Sequence, residues 1–288
     1  MTLFDELKQN YLYSNSAVKR IIAINVLLFL VFAMMNVLGF LFASSLNSGI
    51  VTKYFTLPAT FERFLYKPWA ILSYMFLHDG FLHLLFNMLW LYWLGSILHE
   101  YLGNKRVYQA YFIGGVFGGL IYMLAYQFLP AFVHVRDTAY ALGASAGVLS
   151  VVVAAATLLP NYEVQLLLFG NVRLKWIALV SVLLDVISIP NGNAGGHIAH
   201  IGGALFGFLF IKYLYNHTGF EKVFDRIAGL FKPKQKVKIH HRSVNIKTKN
   251  PNKPSQHEID IILDKISKSG YESLSKKEKE MLFKASKD

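Results

Sequence analysis

Seven polar side chains stand out in the apolar stretch 21–215: His78, His83, Asn87, Ser145, Asp185, His197 and His200. A serine hydroxyl is a weak nucleophile until a base accepts its proton, and histidine is the usual base. Ser145 is the centre of Gly143-Ala144-Ser145-Ala146-Gly147. Small residues there let a backbone approach closely and leave the serine open to a reactant. His83 and Asn87 are four residues apart and share one face of a helix, where both could donate hydrogen bonds to an oxyanion. His200 is followed at i+3 and i+7 by Gly203 and Gly207, which together form a close-packing face for another helix. A glycine-lined helix pressed on a small-residue helix would bring His200 to Ser145. Each feature alone has a structural reading. The serine motif can be helix packing, and the histidines and Asn87 can be interhelical hydrogen-bond donors. Asp185 reads as a solvated or capping residue, with a third triad member as the minor alternative, His78 and His197 as hydrogen-bonded or water-contacting, and Asn25 and Asn36 as packing contacts.

Other chemistries find little support. The chain has no cysteine, which excludes disulfides, thiol catalysis and cysteine-ligated metal centres. The zinc-protease pattern HExxH is absent; His99-Glu100-Tyr101-Leu102-Gly103 is a partial echo only. No phosphate-cradling or dinucleotide-binding loop occurs, and Gly114-Gly115-xx-Gly118-Gly119 reads as helix packing. No metal and no cofactor is expected.

The elements that must carry these residues follow from charge and hydropathy. The 288 residues contain 29 Lys+Arg and 17 Asp+Glu, but only 15 of those 46 charges fall within 21–215, against 26 in 216–288. A transmembrane helix needs about 20 mostly apolar residues. Uncharged runs predict six helices near 19–43, 80–99, 106–128, 142–159, 174–189 and 196–214. The turn-rich run Ile189-Pro190-Asn191-Gly192-Asn193-Ala194-Gly195-Gly196 divides the last two. Residues 44–79 form a long loop rich in aromatic residues that suit a membrane interface. Acidic Asp5 and Glu6, and the lack of a cleavage pattern, argue against a cleavable signal peptide. Lys8, Lys19, Arg20, Lys105, Arg106, Arg173 and Lys175 fall on one side of a six-span arrangement, which puts both termini in the cytoplasm. Spans two, four and six then run in one direction. With starts near 80, 142 and 196, His83, Ser145 and His200 lie about 4–6 Å below their helix starts, and Asn87 one turn deeper. A polar group at such a depth is a functional-site hypothesis by default.

Taken together these residues resemble the rhomboid family of intramembrane serine proteases over about 19–215. The resemblance is carried by His78-xxxx-His83-xxx-Asn87 with Trp90 and Gly95, by Glu100-xx-Gly103, by Gly143-Ala144-Ser145, and by Ala199-His200-Ile201-Gly202-Gly203-xxx-Gly207. It implies an all-α polytopic membrane protein, a six-transmembrane-helix bundle of the bacterial type with a cytoplasmic C-terminal extension, in a bacterial inner (plasma) membrane. It implies a Ser–His dyad without an acid: Ser145 as nucleophile and His200 as general base, with His83, Asn87 and the Ser145 backbone N–H stabilising the oxyanion. Gly143, His78, Gly203, Gly207, Glu100 and Gly103 would support the site. A mobile fifth helix and cap near 190–196 would admit transmembrane segments with small residues and helix-weakening positions. Three positions depart from the family pattern: Ala70 where Trp-Arg is frequent, Ala146 where glycine is usual, and Leu149 where an aromatic residue often stacks on the base.

The organisation expected is a cytoplasmic segment 1–18, a membrane domain 19–215, a basic linker 216–256 and a small helical segment 257–288. Lys232 to Lys253 holds eight basic residues and no acidic one, and such a stretch suits anionic lipid; no nucleic acid is expected. Ile259, Ile262, Leu263 and Ile266 share a helix face, and Ser275-Lys276-Lys277-Glu278 fits a capping box. Transmembrane proteins are the expected partners. An escort of transmembrane clients without catalysis is the alternative function, and a transporter is disfavoured because no carboxylate relay crosses the membrane.

Overall fold

The computed structural model describes residues 14–42, 48–166, 170–215 and 256–286, with isolated positions between 217 and 229. The chain divides into two compact units, Met1–Lys232 and Pro233–Asp288.

In the first unit, helix α1 (Ala17–Leu41) is followed by three short helices, α2 (Ser48–Phe55), α3 (Phe61–Leu65) and α4 (Ala70–Ser73). Helix α5 (Phe81–Tyr108) runs on through a wider turn at Gln109–Ile113 into α6 (Gly114–Phe128). Helices α7 (Ser145–Leu158), α8 (Leu174–Ser188) and α9 (Ala194–Leu209) complete the unit. Among the described residues, four helical stretches are long and apolar enough to cross a membrane: Ala17–Leu41, Phe81–Phe128, Leu174–Asn191 and Ala194–Leu214. Against the six spans expected, two differences appear. The 48-residue stretch Phe81–Phe128 is interrupted at Gly103, whose φ of 74° and ψ of 178° are not helical. Ser145–Leu158 is apolar but shorter than the other four.

Burial follows the apolar pattern. Helix α7 is the innermost element, with Ala146 to Val152 and Ala154 to Ala156 buried. Helices α1 and α8 turn large apolar side chains outward, among them Leu27, Leu30, Met34, Leu183, Leu184 and Ile187. Such an apolar exterior suits hydrocarbon as its solvent. Some polar groups inside find local partners, as burial without them is costly: Asn25 Nδ2 donates to the Ile21 carbonyl (2.8 Å) and the Tyr111 hydroxyl (3.2 Å), and Ser150 Oγ to the Ala110 carbonyl (2.8 Å).

Glycines set the tightest contacts. A Cβ on Gly203 would overlap the carbonyl oxygen of Ala146, and one on Gly207 the carbonyl oxygen of Ser150, so α9 lies directly on the α7 backbone. Gly118 of α6 meets the Ala199 carbonyl in the same way. The glycine runs are packing faces, as their spacing suggested.

The loop before α5 is ordered on the core. Leu57, Ala59, Ala70, Tyr74 and Met75 are buried, while Tyr54, Phe61, Tyr66 and Trp69 stay exposed. Trp69 Nε1 donates to the Tyr54 carbonyl at 2.9 Å, anchoring the loop beside the departing Ala70. Two short antiparallel pairings modify the all-α expectation. Strand β1 (Leu57–Pro58) pairs with β2 (Tyr140–Ala141), and β3 (Glu163–Leu166) with β4 (Gly170–Arg173). The first pairing, with the Gly143 N–H to Tyr74 carbonyl bond (2.9 Å), holds 139–143 in a non-helical course. The fourth apolar helix therefore begins at Ser145, three residues later than its apolar run suggests.

In the second unit, α10 (Gln256–Ser269) and α11 (Lys276–Ala285) are joined by a tight turn. Ser275 and Glu278 form the reciprocal capping box. The Lys265 ammonium, 2.9 Å away, and the Ser275 backbone and hydroxyl groups hold the Glu278 carboxyl at about 2, below its usual range. The basic stretch 232–253 and residues 1–13 lie outside the described residues.

Gly207→Val forces α9 off the Ser150 carbonyl, an overpacking change of about 1–3 kcal/mol. The expected outcome is a lowered midpoint in a thermal melt in detergent, with a smaller drop for Gly207→Ala. An unchanged midpoint for the valine variant contradicts the packing described.

Candidate active site

Ser145 is the first residue of α7, and the preceding Ala144 offers no side-chain cap. The first amides of a helix have no intrahelical acceptor and carry the positive end of the helix dipole. The Ser145 hydroxyl thus sits at the positive end of a helix without a side-chain cap, a place that suits a developing anion. Its position is set from both sides, by the β1–β2 pairing before it and by the α9 glycines behind it. His200 lies in the second turn of α9, and its Nε2 is 2.5 Å from Ser145 Oγ.

His200 Nδ1 is 2.8 Å from Asp185 Oδ1, and His197 Nδ1 is 2.7 Å from the same oxygen. The side chains of Asp185, His200 and His197 are 12%, 21% and 22% exposed. Asp185 is thus enclosed and paired, contrary to the solvated or capping role that its place near the end of α8 suggests. The cause is the turn at 189–193. It folds α9 back along α8, so a residue a few positions before the turn meets residues a few positions after it. The signal was present in sequence: Asp185 is the one formal charge in Trp176–Ile211, and His197 is nearly as far from the turn on the other side. For Nε2 of His200 to accept the serine proton, its Nδ1 must carry a hydrogen, and that hydrogen points at the carboxylate. The ligand atoms of Asp185, His197 and His200 lie within 4.8 Å of one another, a donor set that could also take a divalent cation. The 2.7 and 2.8 Å separations are those of direct hydrogen bonds.

His83 faces the serine from α5. Its Nδ1 accepts the Asp79 N–H at 3.2 Å, which leaves the hydrogen on Nε2. A Cβ on Gly143 would lie 3.2 Å from His83 Nε2 and 3.3 Å from Ser145 Oγ, and Gly143 has φ 129°. Glycine is needed there twice, for the backbone conformation and for the space between imidazole and hydroxyl. Asn87 is buried and donates through Nδ2 to the His83 carbonyl at 2.8 Å. His78 packs edge-on to His83, with ring centroids 5.3 Å apart, and its buried nitrogens have no hydrogen-bond partner among the described residues.

Two cavities meet at this cluster. One of about 220 Å³ is lined by Asn87, Trp90, Ser145, Leu149, Asp185 and His200, among others. The other, about 970 Å³, reaches His78, His83, Asn193 and His200. Of the supporting residues, Gly203 and Gly207 act through packing. Glu100 and Gly103 lie about 25 and about 30 Å along α5 from His83 at 1.5 Å per residue, so they belong to the far end of the helix. Ala146 and Leu149 are buried, Ala146 under Gly203 and Leu149 in the wall of the smaller cavity.

A multi-pass helical membrane protein with a serine–histidine pair at the start of a buried helix is the class that fold and site define. A Rhomboid domain profile matches residues 66–217, more than half of the chain, and the chain belongs to the rhomboid family. Residues 243–288 match a family of unknown function, DUF6576. RHOMBOID-like protein 4 of Arabidopsis thaliana is 32% identical over 155 residues, covering 53% of this chain and 36% of that protein. Presenilin-associated rhomboid-like protein A, mitochondrial, of Danio rerio is 30% identical over 167 residues, 57% of this chain and 41% of its own length. Rhomboid protein 1, mitochondrial, of Saccharomyces cerevisiae is 26% identical over 147 residues, 50% and 41%. The chain thus spans less than half the length of these curated relatives.

Gly143→Ala pushes a methyl group between His83 and Ser145. The expected outcome is an at least tenfold slower reaction of Ser145 with a fluorophosphonate, by roughly the loss of one oxyanion donor. Gly103→Ala, at another positive φ with nothing within 4 Å, should cost comparable stability and leave the reaction rate near wild type. Equal rates for the two variants contradict the site geometry.

Proposed function

We propose that this chain is an intramembrane serine endopeptidase that cuts transmembrane segments of membrane proteins at helix-weakened sites with small residues. The observation that carries this reading is the 2.5 Å approach of His200 Nε2 to Ser145 Oγ at an uncapped helix start. In the first step the Ser145 proton passes to His200 Nε2 as Oγ attacks the scissile carbonyl carbon. The oxyanion is met by the Ser145 N–H, by His83 Nε2–H and by the Asn87 amide hydrogen not used on the His83 carbonyl. His200 then gives its proton to the leaving amine, the C–N bond breaks, and an acyl-enzyme remains on Ser145. Water, deprotonated by the same imidazole, releases the acid and restores the serine. A helical segment hides its peptide bonds in backbone hydrogen bonds, so it must unwind locally before attack; the larger cavity offers room for an unwound stretch.

The arrangement we propose in the membrane has six spans, with the Phe81–Phe128 stretch crossing twice about Gly103 and α7 as a short central span. Both termini would be cytoplasmic, and the basic tail would lie against anionic lipid. A bacterial inner membrane is the compartment we favour. The relatives named above come from a plant, a fish and a yeast.

The rhomboid family also contains non-catalytic members, and one observation favours that second reading: Leu149, where the family often has an aromatic residue, stands in the wall of the cavity lined by Ser145 and His200. The test is cleavage of a transmembrane substrate panel by the full chain in proteoliposomes. Wild type is expected to cut at least one substrate, with product formation abolished in Ser145→Ala and in His200→Ala, each a loss of about 10³-fold or more. Binding of substrates by folded wild type without cleavage contradicts the endopeptidase reading and supports the escort.

A further inference from the structure

We infer that Asp185 is the positioning residue of a Ser145–His200–Asp185 triad, so that the site works with an acid where the resemblance implies a dyad. The inference rests on the endopeptidase reading above and adds to it. Three observations point the same way. The Asp185 carboxylate oxygen is 2.8 Å from His200 Nδ1, on the far side of the ring from Ser145. Its side chain is 12% exposed, so its charge acts on the imidazole with little screening. And two imidazole nitrogens, of His200 and His197, converge on one Asp185 oxygen and hold the carboxylate at a helix end whose dipole by itself disfavours it.

The consequences for the reaction are two. The carboxylate accepts the His200 Nδ1–H, which fixes the tautomer that leaves Nε2 free to take the serine proton. Once that proton has moved, the imidazolium lies against a negative charge inside a low-dielectric site. The Nδ1 proton stays where it is throughout. His197 holds the same oxygen from the other side and keeps the carboxylate turned toward its neighbour.

A different role for the same contact is a latch that merely ties α8 to α9 and hinders substrate entry. The two roles predict opposite results. Four proteins are compared as full chains in detergent: wild type, Ser145→Ala, Asp185→Asn and Asp185→Glu. For each, kcat and KM on a transmembrane peptide and the rate of reaction with a small fluorophosphonate are measured. A positioning role predicts that Asp185→Asn lowers kcat by up to about 10⁴-fold and slows fluorophosphonate reaction by a similar factor. KM should stay within about twofold, and Asp185→Glu should recover part of the loss. A latch predicts equal or higher kcat, an altered KM and an undiminished fluorophosphonate rate; any of these overturns the inference. Wild type that behaves like Ser145→Ala sinks the endopeptidase reading itself, a separate outcome. Should Asp185→Asn fail to fold, ¹⁵N spectra of histidine-labelled wild type decide. The inference predicts His200 protonated on Nδ1, and a proton on Nε2 alone overturns it.

Discussion

The contact between α7 and α9 is the constraint on which the rest of the site depends. Gly203 and Gly207 let one helix rest on the carbonyl oxygens of the other, with no room for even a methyl group between them. In a membrane the hydrophobic effect does not press helices together, and close backbone approach supplies the packing instead. That approach sets the distance between Ser145 at the head of α7 and His200 in the second turn of α9. Both residues take their depth from where their helices begin. Both beginnings are fixed by polar detail: the Tyr74 and β1 hydrogen bonds before Ser145, and the Asn193 side chain that caps α9 through the Gly196 N–H.

The chemistry of the site follows from hydrogen bonds that run in series. Asp79 N–H to His83 Nδ1 leaves an Nε2–H facing the serine, and Asp185 against His200 Nδ1 leaves a lone pair facing it. One imidazole is thereby a donor and the other an acceptor, set by the partner on the opposite nitrogen. Gly143 keeps the space between them clear. A molecule in the smaller cavity would meet the Ser145 hydroxyl with the His200 imidazole beside it, at a helix start without a side-chain cap.

Much of this was legible in the sequence, for physical reasons. The i+3 and i+7 glycines after His200 and the small residues around Ser145 announce a close helix pair, and the i, i+4 spacing of His83 and Asn87 places them on one face. Parallel spans at similar depth then allow only a few meetings. Other features were not legible. The start of α7 depends on hydrogen bonds from a loop some seventy residues earlier in the chain, so an apolar run alone sets it three residues too early. The partnership of Asp185 with His200 depends on how sharply the 189–193 turn reverses the chain. Periodicity within α8 carries no information about that. The described residues hold four helical stretches long and apolar enough to cross a membrane where six were expected, because the run from Phe81 to Phe128 is helical almost throughout and the break at Gly103 is a matter of one residue's backbone angles.

The measurement closest to the central claim is peptide mapping of the wild-type chain after brief treatment with a fluorophosphonate. The account predicts one modified residue, Ser145, with the hydroxyls of Ser150 and Ser181 untouched and with no adduct once His200 is replaced by alanine. An unmodified Ser145 in folded protein, or an adduct that forms equally well without His200, would contradict it.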